Sequence, residues 1–196
     1  MKTFNEEKKQ FWIDTMQAHQ DADRLTQGDW WDGEKGCFFG CAMETEDYAL
    51  NKAIKEMELP AWLVYLSEAI FEGLPEELAL TWPVRLLKAV PCDADISEVE
   101  HKLAVVRLTG LISDNNSDQV NKAILQVIDY HKNTNRNEAQ RSAARSAAMS
   151  VQRSAERYSE VYAARSAARS AEWSSERSAT WSAESDNLIK ILNEYN

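Results

Sequence analysis

Residues 59–75, LPAWLVYLSEAIFEGLP, indicate the fold class, because the positions of proline and glycine in this stretch are typical of short helices. Proline suits the first turn of a helix, where its missing N–H would have no intrahelical acceptor, and Gly73 is a residue type that closes helices. A proline at the expected start of a helix recurs at Pro75 and at Trp82-Pro83. Three short helices are therefore predicted between residue 59 and about Val90.

Helical patterns also flank this stretch. Thr3 and Glu6 match a capping box that predicts a helix with Thr3 as its cap, ending near Gly28. A second helix is expected over about 44–58, and another capping box predicts a helix over about 97–112. A last helix of this part carries Val120, Ile124, Val127 and Ile128. The predicted class is all-α: a compact body of short helices followed by a long C-terminal helix.

The C-terminal part of the sequence is a four-residue repeat over residues 141–185, rich in arginine, serine and alanine. No glycine follows Gly110 and no proline follows Pro91. Because alanine and arginine are strong helix formers, the repeat predicts a long helix. We therefore expect two parts, an acidic helical body over 1–132 and a repeat-containing helical tail over 133–196.

The repeat does not predict an ordinary coiled coil. Four residues turn an α-helix by about 400°, so the arginines wind around it. Four large apolar residues instead fall within about 60° of one another: Val151, Tyr158, Tyr162 and Trp173. This face predicts self-association as a homodimer. Packing of the tail on its own body, or a solvated helix that arose by repeat expansion, are the alternatives.

Composition and charge restrict the function classes. The chain has 196 residues with 44% hydrophobic and 28% charged residues, which is typical of a folded globular protein. It lacks a run of about 18 apolar residues and a signal peptide, so we expect a cytoplasmic protein without a membrane span. Three cysteines also fit a reducing compartment better than a disulfide framework.

The acidic charge is concentrated in the body. Residues 1–132 hold 13 lysines and arginines against 24 acidic residues, whereas residues 133–196 hold 9 against 8. This balance argues against direct binding to nucleic acid, which requires cations that neutralise phosphates. It favours a partner with a basic surface, although an acidic surface that only maintains solubility remains the alternative.

Several motifs in a fixed order resemble one family. They are Gly36-Cys37-Phe38-Phe39-Gly40-Cys41, Leu59-Pro60-Ala61-Trp62-Leu63, Ile70-Phe71-Glu72-Gly73-Leu74-Pro75, Trp82-Pro83 and Ala89-Val90-Pro91, followed by the serine–alanine repeat. Together they resemble a family of uncharacterised proteins from bacterial and phage genomes. The resemblance spans nearly the whole chain and implies a phage or mobile-element origin. It implies no chemistry, and the histidines that relatives carry after the second cysteine are missing from residues 43–48.

A glycine-rich segment supplies the candidate binding site. Residues 28–36, which we call the tryptophan loop, combine acids with paired tryptophans: Asp29, Trp30, Trp31, Asp32 and Glu34. Large aromatic residues on loops are frequent at protein interfaces, although a tryptophan that closes over a small core is about as common. We predict that these five residues contact a protein partner.

Candidates for chemistry are few. Cys37 and Cys41 would share one face of a helical turn, but a structural zinc site needs a second pair of ligands, and Cys92, His19, His101 and His131 form no pair in sequence. A single Glu-x-x-His motif ending at His101 is insufficient for a di-iron site. The sequence also lacks the usual nucleophile and phosphate-binding motifs. No catalytic residue, metal or cofactor is therefore assigned.

Two function classes follow from these observations. The favoured one is a non-enzymatic, phage-encoded module that occupies a host protein, for example as an inhibitor of a defence system such as CRISPR. The alternative is a metal-dependent enzyme or redox sensor centred on Cys37 and Cys41.

Overall fold

The regular secondary structure of the described residues is helical. The computed structural model describes residues 2–45, 49–110, 112, 114, 118–140, 142–143, 146 and 170–196. Within these ranges the backbone forms helices and isolated β-bridges, and no β-strand. The all-α prediction is therefore confirmed for this part of the chain. The middle of the predicted long helix, residues 147–169, lies outside the described residues.

The helices with defined bounds are, in chain order, α1 (Glu6–Asp21), α2 (Phe38–Met43), α3 (Ala49–Glu56), α4 (Ala61–Gly73), α5 (Glu76–Ala79), α6 (Trp82–Ala89), α7 (Ser97–Thr109), α8 (Asp118–Lys132) and α9 (Ser170–Leu192), with a 3-10 turn at Asn193–Tyr195. The three proline-punctuated helices are α4, α5 and α6, as predicted. Pro60 and Pro75 directly precede α4 and α5, and Pro83 lies in the first turn of α6.

The N-terminal cap differs from the prediction. Asn5 is the cap of α1, since its side chain accepts a hydrogen bond from the Lys8 N–H at 2.9 Å. Thr3 instead lies buried, where its hydroxyl donates to the Pro91 carbonyl at 2.6 Å. The capping box was wrong because an asparagine side chain two residues later caps equally well. A buried hydroxyl also gains more from a partner across the core than at an exposed helix end.

Helix α1 also ends earlier than the sequence suggested. Its last residue is Asp21, and Asp23 adopts a left-handed backbone with φ of 56°. The Arg24 N–H then bonds the His19 carbonyl, which closes the helix. The segment from residue 22 to Cys37 is therefore a long connection, which the tryptophan loop dominates. The short α2 that follows it was not predicted as a helix.

The chain divides into two compact units. The first combines Met1–Glu100 with Glu176–Asn196, and the second is His101–Ser175. The expected boundary at residue 132 was drawn from composition, whereas this division follows tertiary contacts and places the end of the tail with the acidic N-terminal part. In the second unit, α8 buries Ala123, Ile124 and Ile128.

The end of the tail packs within the first unit. Leu188, Ile191 and Leu192 of α9 are buried there, and Asp186 pairs with Arg85 of α6 at 3.0 Å. For residues 181–196, the alternative of packing on the chain's own body is the one observed. The predicted self-association face is not tested, because Val151, Tyr158, Tyr162 and the side chain of Trp173 lie outside the described residues.

The described part of the chain contains no candidate for a membrane-spanning helix. None of its helices has both the length and the continuous apolar sequence that a bilayer span requires.

Candidate functional site

The tryptophan loop is fixed by backbone hydrogen bonds to the start of α2. The Cys37 N–H donates to two carbonyls of the loop, those of Asp29 at 2.7 Å and Trp30 at 3.0 Å. Both Gly36 and Gly40 lie so close to the Trp30 carbonyl that a Cβ atom at either position would overlap with its oxygen. These glycines therefore let the loop pack directly on the backbone of α2.

A second set of bonds fastens the loop to α4. The Gln27 side chain donates to the carbonyls of Phe71 at 2.5 Å and Leu74 at 3.0 Å. The Gly28 N–H donates to the Glu72 carboxylate at 2.8 Å. Since both ends of the loop are bound to helices, its conformation is held before any partner arrives.

The two tryptophans of the loop have different environments. Trp30 is 47% exposed, although it is a large apolar side chain. Trp31 is half-buried and packs edge-on against the ring of His19, with ring centroids 5.8 Å apart. Trp31 thus closes over the core, whereas Trp30 is exposed, and its contact with a protein partner stays a prediction.

The three acids of the loop are exposed but not equivalent. The Asp32 carboxylate accepts hydrogen bonds from the N–H groups of Glu34 at 2.8 Å and Lys35 at 2.7 Å. These bonds lower the pKa of Asp32, so the carboxylate that holds the turn stays ionised at neutral pH. Asp29 and Glu34 carry their charges on the same exposed loop.

Cys37 and Cys41 are both buried free thiols, beside Phe38 and Phe39 in the core. The Cys41 thiol donates to the Gly36 carbonyl at 3.2 Å, and burial raises the pKa of this thiol to about 12. Burial, with the nearby Glu68 carboxylate, also raises the pKa of Cys37 far above its usual value. Neither group is a thiolate at neutral pH, so neither supplies a ready nucleophile.

The structure brings Cys37 together with two acids that the sequence analysis did not consider. Ligand atoms of Cys37, Glu68 and Glu72 all lie within 4.8 Å of one another. The acids are four residues apart on α4, so they share one face of that helix. Cys41 is not in this group. The sequence did contain a signal for these two acids, because they interrupt a helix that is mostly apolar.

Glu68 is the most unusual ionisable group at this site. It is only 8% exposed, and its carboxylate accepts a hydrogen bond from the Phe39 N–H at 3.4 Å. Burial raises its pKa to about 7, and the Glu72 carboxylate acts in the same direction, while the hydrogen bond with Cys37 opposes the rise. Burial therefore favours the neutral, protonated form of this acid.

This pKa predicts that stability falls as pH rises. Between the usual glutamate pKa of 4.5 and about 7 the folded chain binds more protons than the unfolded chain, so deprotonation favours unfolding. The free energy of unfolding should decrease by about 3 kcal/mol across this window, at 1.36 kcal/mol per pKa unit. Urea unfolding in the presence of a chelator, at a series of pH values, measures it. Glu68→Gln should flatten this dependence, and an unchanged slope in that variant would contradict the assignment.

The other ligand candidates lie elsewhere. The Cys92 thiol contacts the Glu6 carboxylate at 3.0 Å. His19 lies 3.8 Å from the Glu44 carboxylate, and burial lowers its pKa. His101 is half-buried in α7, and its Nδ1 lies 2.8 Å from the Nδ1 of His131 in α8.

The contact between His101 and His131 is a pair that the sequence does not show. His101 and His131 are 30 positions apart, and only the packing of their two helices within the second unit makes them neighbours. Burial and the nearby His101 lower the pKa of His131, so the two rings share a hydrogen bond in which one donates and the other accepts.

Comparisons with known proteins leave the function to be argued from this geometry. Searches against protein-family models, curated proteins and solved structures found no match to the chain.

Proposed function

We propose that the chain is a non-enzymatic protein-binding module, encoded by a phage or mobile element, that acts by occupying a host protein. Inhibition of a host defence system such as CRISPR is one concrete form of this proposal. The observation that carries it is Trp30, a tryptophan that is 47% exposed on a loop anchored at both ends.

An exposed, pre-positioned tryptophan is what a binding surface requires. Tryptophan is among the residues that dominate the energetics of protein interfaces when they are buried by a partner. A loop that is already held in place loses little conformational freedom on binding, which favours affinity. Because the carbonyl of Trp30 is bound to the Cys37 N–H, the backbone that carries this side chain is held by the fold.

The charge of the loop supports a partner with a basic surface. Asp32 is needed for the turn, so the exposed carboxylates of Asp29 and Glu34 are the groups available to a partner. Negative charges around an aromatic anchor speed association with a positive surface and help to select it. We place this binding in the cytoplasm, where the partner of a phage-encoded module would be met.

The alternative, a redox sensor at Cys37 and Cys41, has weaker support. A redox-active thiol is an exposed thiolate, whereas both of these groups are buried and have raised pKa values. The metal-dependent form of that alternative needs further ligands. The ligand atoms close to Cys37 belong to Glu68 and Glu72, and Cys41 is not among them.

We expect Trp30→Ala to weaken binding to the host partner by at least about thirtyfold, which corresponds to about 2 kcal/mol at an interface hot spot. The full chain first captures its partner from host lysate, and the purified partner is then used to measure Kd.

Replacing both Asp29 and Glu34 by lysine should slow association and reduce the salt dependence of binding. The exposed acids attract a basic partner during association, and salt screens that attraction.

Reversal of Glu76 and Glu77 is the matched control. These two acids are also exposed, lie at the start of α5 and change the net charge by the same amount. They should leave Kd and its salt dependence unchanged. A partner that binds all four forms of the chain equally well would refute the role of the loop.

Self-association through Val151, Tyr158, Tyr162 and Trp173 stays part of the proposal. It is a separate claim, because its four residues are not residues of the tryptophan loop.

A further inference from the structure

The first unit contains a group of two acids and a thiol that makes no ion pair with a lysine or arginine in the described part of the chain. Cys37 comes from the residue before α2, whereas Glu68 and Glu72 come from successive turns of α4. Their ligand atoms lie within 4.8 Å of one another, and Cys37 and Glu68 are buried. Glu72 is exposed, so the group is open to solvent on one side.

The partners of these acids are neutral. Glu68 interacts with the Cys37 thiol and the Phe39 N–H, and Glu72 accepts from the Gly28 N–H. Within the described part of the chain, neither glutamate forms an ion pair with lysine or arginine. Buried carboxylates are usually paired with a cation or coordinate a metal, because burial of an uncompensated charge is costly.

We propose that Cys37, Glu68 and Glu72 bind one divalent cation of the zinc class, with water completing the coordination on the side of Glu72. A sulfur ligand disfavours magnesium and calcium, which prefer oxygen, and suits zinc or cobalt(II). Three protein ligands and an open position match the pattern of zinc sites that hold a water. On binding, the Cys37 S–H bond breaks and its proton is released to solvent, as is any proton that Glu68 holds.

The cation would fasten the tryptophan loop. Cys37 holds the carbonyls of Asp29 and Trp30 through its N–H, and Glu72 holds the Gly28 N–H. A metal that bridges Cys37 and Glu72 therefore links the two attachment points of the loop. This inference does not rest on the proposed binding function, since it is tested without any partner.

The experiment uses the full chain, treated with chelator and then titrated with cobalt(II). We expect one equivalent to bind with a sulfur-to-cobalt charge-transfer absorption, which zinc abolishes by displacement and excess magnesium leaves unchanged. Zinc should also raise the midpoint of thermal unfolding, because it binds only the folded site. Chain that binds no stoichiometric cobalt or zinc would overturn the proposal.

Variants identify the ligands. Cys37→Ser should lose the charge-transfer absorption, whereas Cys41→Ser should keep it. Cys41 is the matched control, because it is a buried thiol one turn further along, inside α2, and is not in the cluster. Absorption that survives Cys37→Ser, or that is lost with Cys41→Ser in a folded chain, would overturn the assignment.

The Glu72→Gln variant tests the metal site without disturbing the fold. The side chain is exposed, and a glutamine oxygen can still accept the Gly28 N–H, so the helical circular dichroism should be unchanged. Cobalt affinity should nevertheless fall by at least about tenfold, the lower end of what even indirect partners of a metal contribute. Unchanged affinity in both Glu72→Gln and Glu68→Gln would contradict the site.

Discussion

Gly40→Ala is expected to destabilise the first unit by about 3 kcal/mol or more, the upper end of overpacking costs. A Cβ at residue 40 would lie 1.6 Å from the Trp30 carbonyl oxygen and 2.5 Å from its carbon. The carbonyl cannot yield freely, because it accepts the Cys37 N–H. Urea unfolding should show a lower midpoint at a similar denaturant dependence. Gly36→Ala should act in the same direction, since its Cβ would lie 2.0 Å from the same oxygen.

Gly110→Ala is the control for this experiment. The nearest atom to a Cβ at residue 110 is the Arg107 carbonyl oxygen at 3.5 Å, an ordinary contact. Its effect should stay within about 0.5 kcal/mol, as for most surface substitutions. Equal losses of stability in Gly40→Ala and Gly110→Ala would show that the close approach of the loop to α2 is not required.

Deleting residues 181–196 is expected to unfold the first unit altogether. The deleted segment contributes Leu188, Ile191 and Leu192 to the core, and each such side chain is worth about 2–5 kcal/mol when truncated to alanine. That sum is comparable with the whole stability of a typical domain, about 5–15 kcal/mol. Near-ultraviolet circular dichroism and thermal unfolding should both lose the signal of a packed core.

Two measurements separate this core role from other effects of the tail. Asp186→Ala removes an exposed ion pair with Arg85 and should cost less than about 1 kcal/mol. A peptide of residues 170–196, added in trans, should restore the thermal transition of the shortened chain. A shortened chain that melts like the full chain would contradict the packing of α9.

The same packing changes how self-association must be tested. Truncation before Arg141 removes the predicted dimer face together with the buried part of α9, so a loss of dimer would not be specific. Substitution of Tyr158 and Tyr162 in the full chain separates these two roles.

The proline-punctuated helices were predictable because their signals are local. Pro60 and Pro75 mark the starts of α4 and α5, and Pro83 lies in the first turn of α6, where the missing N–H has no consequence. The burial of Cys37 and Cys41 also has a local signal, since Phe38 and Phe39 lie beside them in the sequence. In each case the residues that decide the outcome are adjacent in sequence.

The candidate sites were predictable only in part. The tryptophan loop was visible as a cluster of glycines, acids and aromatics, but the sequence could not say that Trp31 would pack on His19 and leave Trp30 exposed. The pairing of Glu68 with Cys37 depends on how α2 packs against α4. The His101–His131 contact depends in the same way on the packing of two helices.

Local sequence accounts for the helical class, for the prolines that begin helices α4–α6 and for the acidic charge of the N-terminal part, because propensity, capping and charge act over a few residues. Long-range packing accounts for the carbonyl that lies over Gly40, for the acids that meet Cys37, and for the end of the tail that completes the core of residues 1–100. Those contacts join residues up to about a hundred positions apart, such as Arg85 and Asp186. They form only when whole helices pack, and no short stretch of sequence encodes that packing.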